Sequence, residues 1–496
     1  MTAQERLRAV LDRVRGRRVH VLGPSGTEGS AVIDFLLANG IATITAHDLE
    51  PDDRFDSTVA RTHQWLDQTG REALIRRLRN APITWRQGDA YLTGIEDADV
   101  IFVTQAWFRH TRNAPIKALA ERGVALSSMT QLFFDLWPGP TLGVTGTNGK
   151  FTVVALVAGM LRASGVPHVV TGNDRTHLPA LYALDRAAND VWLVIEVSNR
   201  QLVGLDRSPH VAVVTNIAAH HLDDHGTFDA YVRAKRSLLE HQLARDVAVL
   251  NADDPLVAGF ASHTRGRVHW FSRRQMVETG AFIDGDTLTL AGPMQRALMS
   301  VRELSVPGDH MVENALAAAT AAAAAGASPD AIVSELRAFR GLPYRFRFVG
   351  ERAGIVFYED SLGTNPTSAA AAVGSVTRPL HLIAGGFRRH ATPEDFAPMV
   401  DAISRAAVRG VYLIGTTAPI LAEAIATLSP APTVVTAKTL ERAMAGAWER
   451  AVSGDAILLS PGCESFDQFA DYRERGDRFV ELISTLPARA GQRASR

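Results

Sequence analysis

Short runs of β-branched and aliphatic residues alternate along this chain with stretches whose apolar positions recur every three to four residues. The first pattern fits strands buried on both faces and the second fits amphipathic helices. Their alternation predicts α/β layers with mainly parallel sheets. Three blocks emerge. The first opens with a strand over 18–22, the turn Gly23-Pro24-Ser25-Gly26-Thr27-Glu28-Gly29 and a helix over about 30–38. A strand over 42–46 then ends at Asp48, charged helical sequence over 58–79 reads as an insertion, and residues 99–103 return to the sheet. The second block begins near Pro140, with strands over 191–197, 210–216 and 246–250, a charged helix over 228–241, a hairpin over 281–290 and helices over 312–325 and 329–339. Gly341-Leu342-Pro343 marks a linker, beyond which strands are expected near 354–358, 381–384, 410–414, 433–435 and 456–459. The tail from Pro487 is polar and expected to fray.

One junction between a strand and a helix carries most of the chemistry. In Thr141-Leu142-Gly143-Val144-Thr145-Gly146-Thr147-Asn148-Gly149-Lys150 an apolar run ends in a glycine-flanked turn and a lysine. Gly146 and Gly149, with Thr147 and Asn148 between them, can bring backbone N–H groups to phosphate oxygens, and Lys150 adds a point charge. The next position, which normally offers a hydroxyl to Mg²⁺, is Phe151, with Thr152 after it. A nucleoside triphosphate is the expected ligand, and a turn that binds nothing is the alternative.

Other candidates are weaker one by one. The turn in the first block spaces its glycines Gly-x-x-Gly-x-x-Gly, not Gly-x-Gly-x-x-Gly. Gly26, Thr27 and Glu28 lie in the turn before a helix whose N-terminus could receive a pyrophosphate, with Asp48 ending the next strand, but tight packing of strand on helix explains the glycines equally well. Glu196 ends an apolar strand, where a carboxylate can hold Mg²⁺ or simply face solvent. His220, His221, Asp223, Asp224 and His225 crowd one segment without the spacing of a zinc site, and a plain polar loop is the alternative. Lys235, taken alone, reads as a solvated helix lysine. The segments 360–366 and 460–469 follow strands, where α/β sheets present ligand contacts, although ordinary turns would read the same way.

Bulk properties narrow the class. At 496 residues the chain should hold two to four domains, and 46% hydrophobic with 21% charged residues describes an ordinary globular protein. A formal net charge of −1 gives no pull toward nucleic acid or membranes. A single cysteine, Cys463, excludes an internal disulfide framework, the first 18 residues lack a signal-peptide core, and no apolar run could span a bilayer. A cytoplasmic monomer without nucleic-acid or membrane partners is expected.

Taken in order, Thr145–Lys150, Asn216…His221-Leu222-Asp223…His225-Gly226…Tyr231…Ala234-Lys235, Asn251-Ala252-Asp253-Asp254, His310…Asn314-Ala315, Asp360-Ser361…Thr364-Asn365-Pro366 and Ser465-Phe466-Asp467-Gln468-Phe469…Glu474-Arg475-Gly476-Asp477 resemble the Mur ligases across nearly the whole chain. The last two motifs point to the glutamate-adding members. The resemblance implies three domains: a Rossmann-like UDP-sugar-binding domain (1–139), a central P-loop ATPase-like domain binding ATP (140–340) and a Rossmann-like C-terminal domain bringing in the amino acid (341–496). It implies an ATP-dependent ligase that adds glutamate, D-glutamate first, to UDP-N-acetylmuramoyl-L-alanine through an acyl phosphate. An L-glutamate or other amide ligase, or a nucleotide-binding homologue with impaired catalysis, is the alternative.

By position, the resemblance makes Lys150, His221 and Lys235 catalytic, and gives Mg²⁺ to Glu196, His221, Thr152 and a carbamylated Lys235. Asn173 would support the central site. Asn314, Arg345 and Asp360 would contact ATP, and Thr364, Arg389, Ser465 and Tyr472 the incoming glutamate. This chain departs from the family's pattern at several points: Phe151 (serine or threonine in the family), Leu362 and Arg389 (each lysine), Tyr472 (phenylalanine), His220 (aspartate), Met311 (asparagine) and Thr104-Gln105-Ala106 (Ser-Pro-Gly).

Overall fold

The computed structural model describes residues 2–105, 107–171, 179–218, 227–292 and 295–488. It contains three sheets. The first is wholly parallel, in the order β3-β2-β1-β4-β5, from β1 (Val19–Leu22), β2 (Ile44–Asp48), β3 (Thr84–Gln87), β4 (Val100–Val103) and β5 (Ala125–Ser128). The second has nine strands, β6 (Thr141–Thr145), β7 (His168–Thr171), β8 (Trp192–Glu196), β9 (Val211–Val214), β10 (Val247–Asn251), β11 (Arg267–Ser272), β12 (Gly280–Asp284), β13 (Thr287–Ala291) and β14 (Arg296–Ser300). Its order is β14-β13-β12-β11-β10-β9-β6-β8-β7, parallel from β7 to β12, with the expected hairpin as the antiparallel pair β12–β13. The third comprises β15 (Arg347–Arg352), β16 (Ile355–Glu359), β17 (Leu380–Gly385), β18 (Val408–Ile414), β19 (Thr433–Lys438) and β20 (Ala456–Leu459), ordered β15-β16-β20-β17-β18-β19 with only β15 antiparallel.

The chain divides into two compact units. One holds residues 1–299 and 313–335, and the other holds 300–312 and 336–496. Central strands read as continuous apolar runs because helices cover both faces, and β1, β4, β6, β9 and β20 are buried at every position. In the helix Asp309–Ala324, Ala315 to Ala319 and Ala321 to Ala322 are fully buried; small side chains permit close approach of its backbone.

Several expectations shift by a few residues, each for a local reason. The first glycine-turn helix starts at Thr27, not near 30, because the turn tightens as Gly26 N–H donates to Gly23 O. The next strand runs on to Asp48. The expected insertion is two helices, Asp52–Thr62 and Gln68–Arg79, leading into an edge strand, Thr-Trp-Arg-Gln, that has no apolar alternation to announce it.

Candidate active site

Strand β6 delivers the chain into the phosphate loop, and packing makes both flanking glycines obligatory. Gly146 has φ +143° and Gly149 +85°. A Cβ on Gly146 would lie 1.8 Å from Thr215 Oγ1, and one on Gly149 2.1 Å from Asn314 Oδ1. The segment after the neighbouring strand β9 grips the loop: Thr215 Oγ1 donates to Asn148 O at 2.6 Å, Asn216 O accepts from Thr147 N–H at 2.8 Å, and Asn216 Oδ1 accepts from Asn148 N–H at 2.9 Å. Thr147 Oγ1 lies 2.9 Å from the Tyr231 hydroxyl. Gly149 then takes the N-cap position of the helix Lys150–Ala163, which follows the loop directly. Lys150 Nζ folds over the loop and donates to Gly146 O (3.1 Å) and Thr147 O (2.9 Å). Thr152 shares this first turn with Phe151 but sits about 100° further round the helix.

Lys235 overturns its solvated reading. It projects from the helix Phe228–Glu240, is 1% exposed, and donates to Gly146 O at 2.7 Å with Thr145 Oγ1 at 3.5 Å. Its ammonium position lies 4.9 Å from the Tyr231 ring centroid. Burial first, then the Lys150 charge, push its pKa from 10.5 down to about 6, with the Glu196 carboxylate pulling the other way. At neutral pH this amine is mostly unprotonated. Glu196 is 3% exposed at the end of β8, next to β6, so the solvent-facing alternative fails too. Asn251, Asp253 and Asp254 serve the scaffold: Asn251 Nδ2 donates to Thr215 O, Asp254 accepts from Ile217 N–H and caps Pro255–Gly259, and Asp253 accepts from Ser272 Oγ. Asn173, His220, His221, Asp223, Asp224 and His225 lie outside the described residues. Among the described residues no three His, Cys, Asp or Glu side chains converge as a metal site.

A second recess, of about 560 Å³, opens at the carboxyl ends of β1, β2 and β4, where the strand order of the first sheet reverses. Gly26, Thr27, Glu28 and Asp48 all line it, as do Gln105 and Arg200. Gly29 meets its packing explanation, since a Cβ there would sit 2.3 Å from Gly23 O. Glu28 accepts from Gln105 N–H at 2.7 Å, and burial pushes its carboxyl up to about 7.

In the second unit the expected contacts gather on loops at the carboxyl edge of the third sheet. Asp360 follows β16 and accepts from Ser460 Oγ (2.7 Å) and Phe346 N–H (3.0 Å), while burial raises its pKa to about 7. Arg345, next to Phe346, is exposed. An antiparallel bridge between Phe387 and Glu464 draws the Arg389 and Ser465 loops together, and Thr364 leaves the same edge after β16. Arg389 is exposed and Ser465 buried; Tyr472 opens the last helix with its ring 5.6 Å from that of Tyr344.

What ties these loops is Arg475, which sequence reasoning left without a role. It is fully buried and donates to Ser361 Oγ and O, Cys463 O and Glu464 O at 2.8–3.1 Å. Arg475→Met should leave these acceptors unpaired and cost about 3–5 kcal/mol, read as a lower urea midpoint for this unit. An unchanged midpoint would show that water replaces the clamp.

Comparison with known proteins agrees with this geometry. The Mur ligase middle domain matches residues 144–322, and the Mur ligase glutamate ligase domain matches 344–463. The UDP-N-acetylmuramoylalanine–D-glutamate ligase of Symbiobacterium thermophilum is 35% identical over 467 residues, 93% of this chain and 96% of that protein. The enzyme of the same name from Koribacter versatilis is 32% identical over 95% of this chain and 98% of its own. Among solved structures, UDP-N-acetylmuramate–alanine ligase of Thermotoga maritima superposes with a TM-score of 0.53 at 17% identity, covering 95% of this chain and 99% of that one. The type C pseudomurein peptide ligase of Methanothermus fervidus gives 0.51 at 19% identity, covering 95% and 100%; at such identities these two speak for the fold. With a glycine loop under two lysines, a buried strand-end carboxylate and relatives above 30% identity along nearly its whole length, this chain belongs to the Mur ligase family.

Proposed function

We propose that the protein is an ADP-forming ligase that joins glutamate, D-glutamate in the first instance, to UDP-N-acetylmuramoyl-L-alanine in cytoplasmic synthesis of peptidoglycan precursors. The observation that carries this reading is the pair Lys150 and Lys235, both donating to the Gly146 carbonyl of one glycine loop, in a chain whose relatives share that activity in name. On this reading 1–139 binds the nucleotide sugar, 140–340 ATP and 341–496 the amino acid, in a monomer. No helix among the described residues is long and apolar enough to cross a membrane.

The chemistry follows from positioning. ATP would lie with its phosphates on the loop from Gly146 to Lys150, beside Thr152 and Asn314, and the family resemblance assigns Arg345 and Asp360 to ATP as well. Its terminal phosphoryl group passes to the alanine carboxylate, and the glutamate amine attacks the acyl phosphate and displaces phosphate. Lys150 would exchange its two loop carbonyls for phosphate oxygens and offset the charge that moves during transfer. Glu196 and Lys235 fit a Mg²⁺ site, since a neutral buried amine can take up CO₂ and become a carboxylate-like anion; His221 and Thr152 would complete that set. When bound, Mg²⁺ supplies charge neutralisation on the phosphoryl oxygens. Thr364, Arg389, Ser465 and Tyr472 would hold glutamate, with Arg389 presenting a planar fork to its carboxylates. Asn173 would support the central site.

Phe151 favours a second reading, a nucleotide-binding homologue with impaired turnover. One assay separates the two. The purified chain with ATP, Mg²⁺ and UDP-N-acetylmuramoyl-L-alanine should release phosphate only when a glutamate enantiomer is added, with D-glutamate the better by at least about tenfold, roughly one well-placed carboxylate contact. Product mass should rise by one glutamyl residue. Phosphate release with L-glutamate alone would reassign the stereochemistry, and silence across an amino-acid panel would sink the ligase reading.

A further inference from the structure

Stretches far apart in sequence wall the first recess. One is the opening of the helix Thr27–Ala38, with Ser25 and Thr62 beside it; another is Pro179, which leads into the 3₁₀ segment Ala180–Arg186. The first wall is fastened within its own block: Thr62 Oγ1 donates to Ser25 O at 2.7 Å, and His63 Nε2 lies 2.9 Å from Ser30 Oγ. The Pro179 wall has less local support. A 3₁₀ run of seven residues exceeds the usual three or four, and no side chain caps its start. Ala180, Leu181 and Ala183 share an apolar core with Val32, Ile33 and Leu36 of the helix. Apolar contact is non-directional, so it holds the segment against the helix without fixing where along it the segment stops.

Tyr182 supplies the directional tie. Its hydroxyl donates to Asp34 Oδ2 at 2.5 Å, across 148 residues of sequence, and its N–H donates to Pro179 O at 3.0 Å. Asp34 sits on the same helix whose opening forms the first wall. Arg77 holds that carboxylate in place, donating from Nε to Oδ1 at 2.8 Å and from a terminal nitrogen to Oδ2 at 2.6 Å. Burial, then the Asp34 charge, keep the phenol above its usual pKa, so it remains a donor. The Tyr182 ring lies 5.4 Å from that of Trp65. One side chain thus joins the two walls from behind: none of Tyr182, Asp34 and Arg77 lines the recess itself.

We propose, resting on the nucleotide-sugar reading above, that Tyr182 is a positioning residue that sets the spacing of these two walls and so preorganises the recess for the nucleotide sugar. The test is Tyr182→Phe in the full chain, by steady-state kinetics and by calorimetric titration with UDP-N-acetylmuramoyl-L-alanine. Phenylalanine keeps the ring against Trp65 and loses only the tie. KM and Kd for the nucleotide sugar should rise about tenfold, the low end for a hydrogen bond to a charged group, with kcat and KM for ATP within about twofold of wild type. A merely structural role would lower the active fraction, cutting kcat and leaving both constants for the sugar in place. Asp34→Ala removes the acceptor and should give the same rise, with the double variant no worse than either single one. An unchanged Kd in Tyr182→Phe, a fall in kcat alone, or rises that add in the double variant overturn the proposal and leave the ligase reading standing. Wild type that neither binds nor turns over the nucleotide sugar overturns both.

Discussion

Lys235→Met should abolish turnover while the protein stays folded. In the folded chain this amine has a pKa of about 6 against 10.5 for a free lysine. The unfolded chain therefore binds the extra proton between those values, and the buried amine lowers stability most below pH 6 and least above 10.5. Methionine fills the same apolar slot without that cost, and Gly146 O keeps its bond from Lys150. The expected melting temperature at pH 7.5 is unchanged or higher, with kcat down by about 10³-fold or more if the lysine carbamate carries charge essential to phosphoryl transfer. Lys235→Arg should fail equally, because a guanidinium stays protonated and cannot take up CO₂. Wild-type activity should fall as pH drops through about 6, where protonation of the amine competes with carbamate formation. A carbonyl signal from ¹³C-labelled bicarbonate should appear in wild type and be missing in Lys235→Met. Full activity in the methionine variant would remove Lys235 from the mechanism.

Lys150→Ala should cost about as much, roughly 10³-fold, and mostly in kcat rather than KM for ATP, since its charge matters most as the phosphoryl group moves. A linked effect distinguishes this from simple loss of binding. The Lys150 charge is the second cause, after burial, of the depressed Lys235 pKa. Removing it relieves like-charge repulsion, raises the Lys235 pKa and leaves less neutral amine at a given pH. The acid limb of the residual activity should therefore move to higher pH in Lys150→Ala. A limb that stays in place would show that the two lysines do not feel each other in the working enzyme.

Legibility differed from site to site for physical reasons. The phosphate loop could be read because its requirements are local: a buried strand, two positive-φ glycines and a lysine at fixed spacing express themselves within ten residues. Glu196 was readable as a strand-end carboxylate but not as a buried one, because burial is conferred by strands β6 and β7 on either side, far away in sequence. Lys235 carried no local sign at all. Its helix has the charged spacing of a surface element, and only the fold turns that residue onto Gly146. Thr215, which grips the loop from 67 residues away, and Arg475, whose clamp reaches back 114 residues to Ser361, were likewise invisible, since these partners lie far off in sequence. The edge strand β3 escaped notice because an edge need not alternate.

The sequence by itself determined the layered α/β architecture, the phosphate loop and, through an ordered series of motifs, the family. Those features rest on hydrophobic period, backbone conformation at glycine and residue spacing, which are short-range properties of a chain. Only the tertiary structure decided the depressed pKa of Lys235, the hydrogen bond between Asp48 and the first glycine turn, and the burial of Glu196. Charge states and free hydrogen-bonding capacity depend on what the fold brings within a few ångströms and on how much water it removes, and neither quantity is written in any local stretch of sequence.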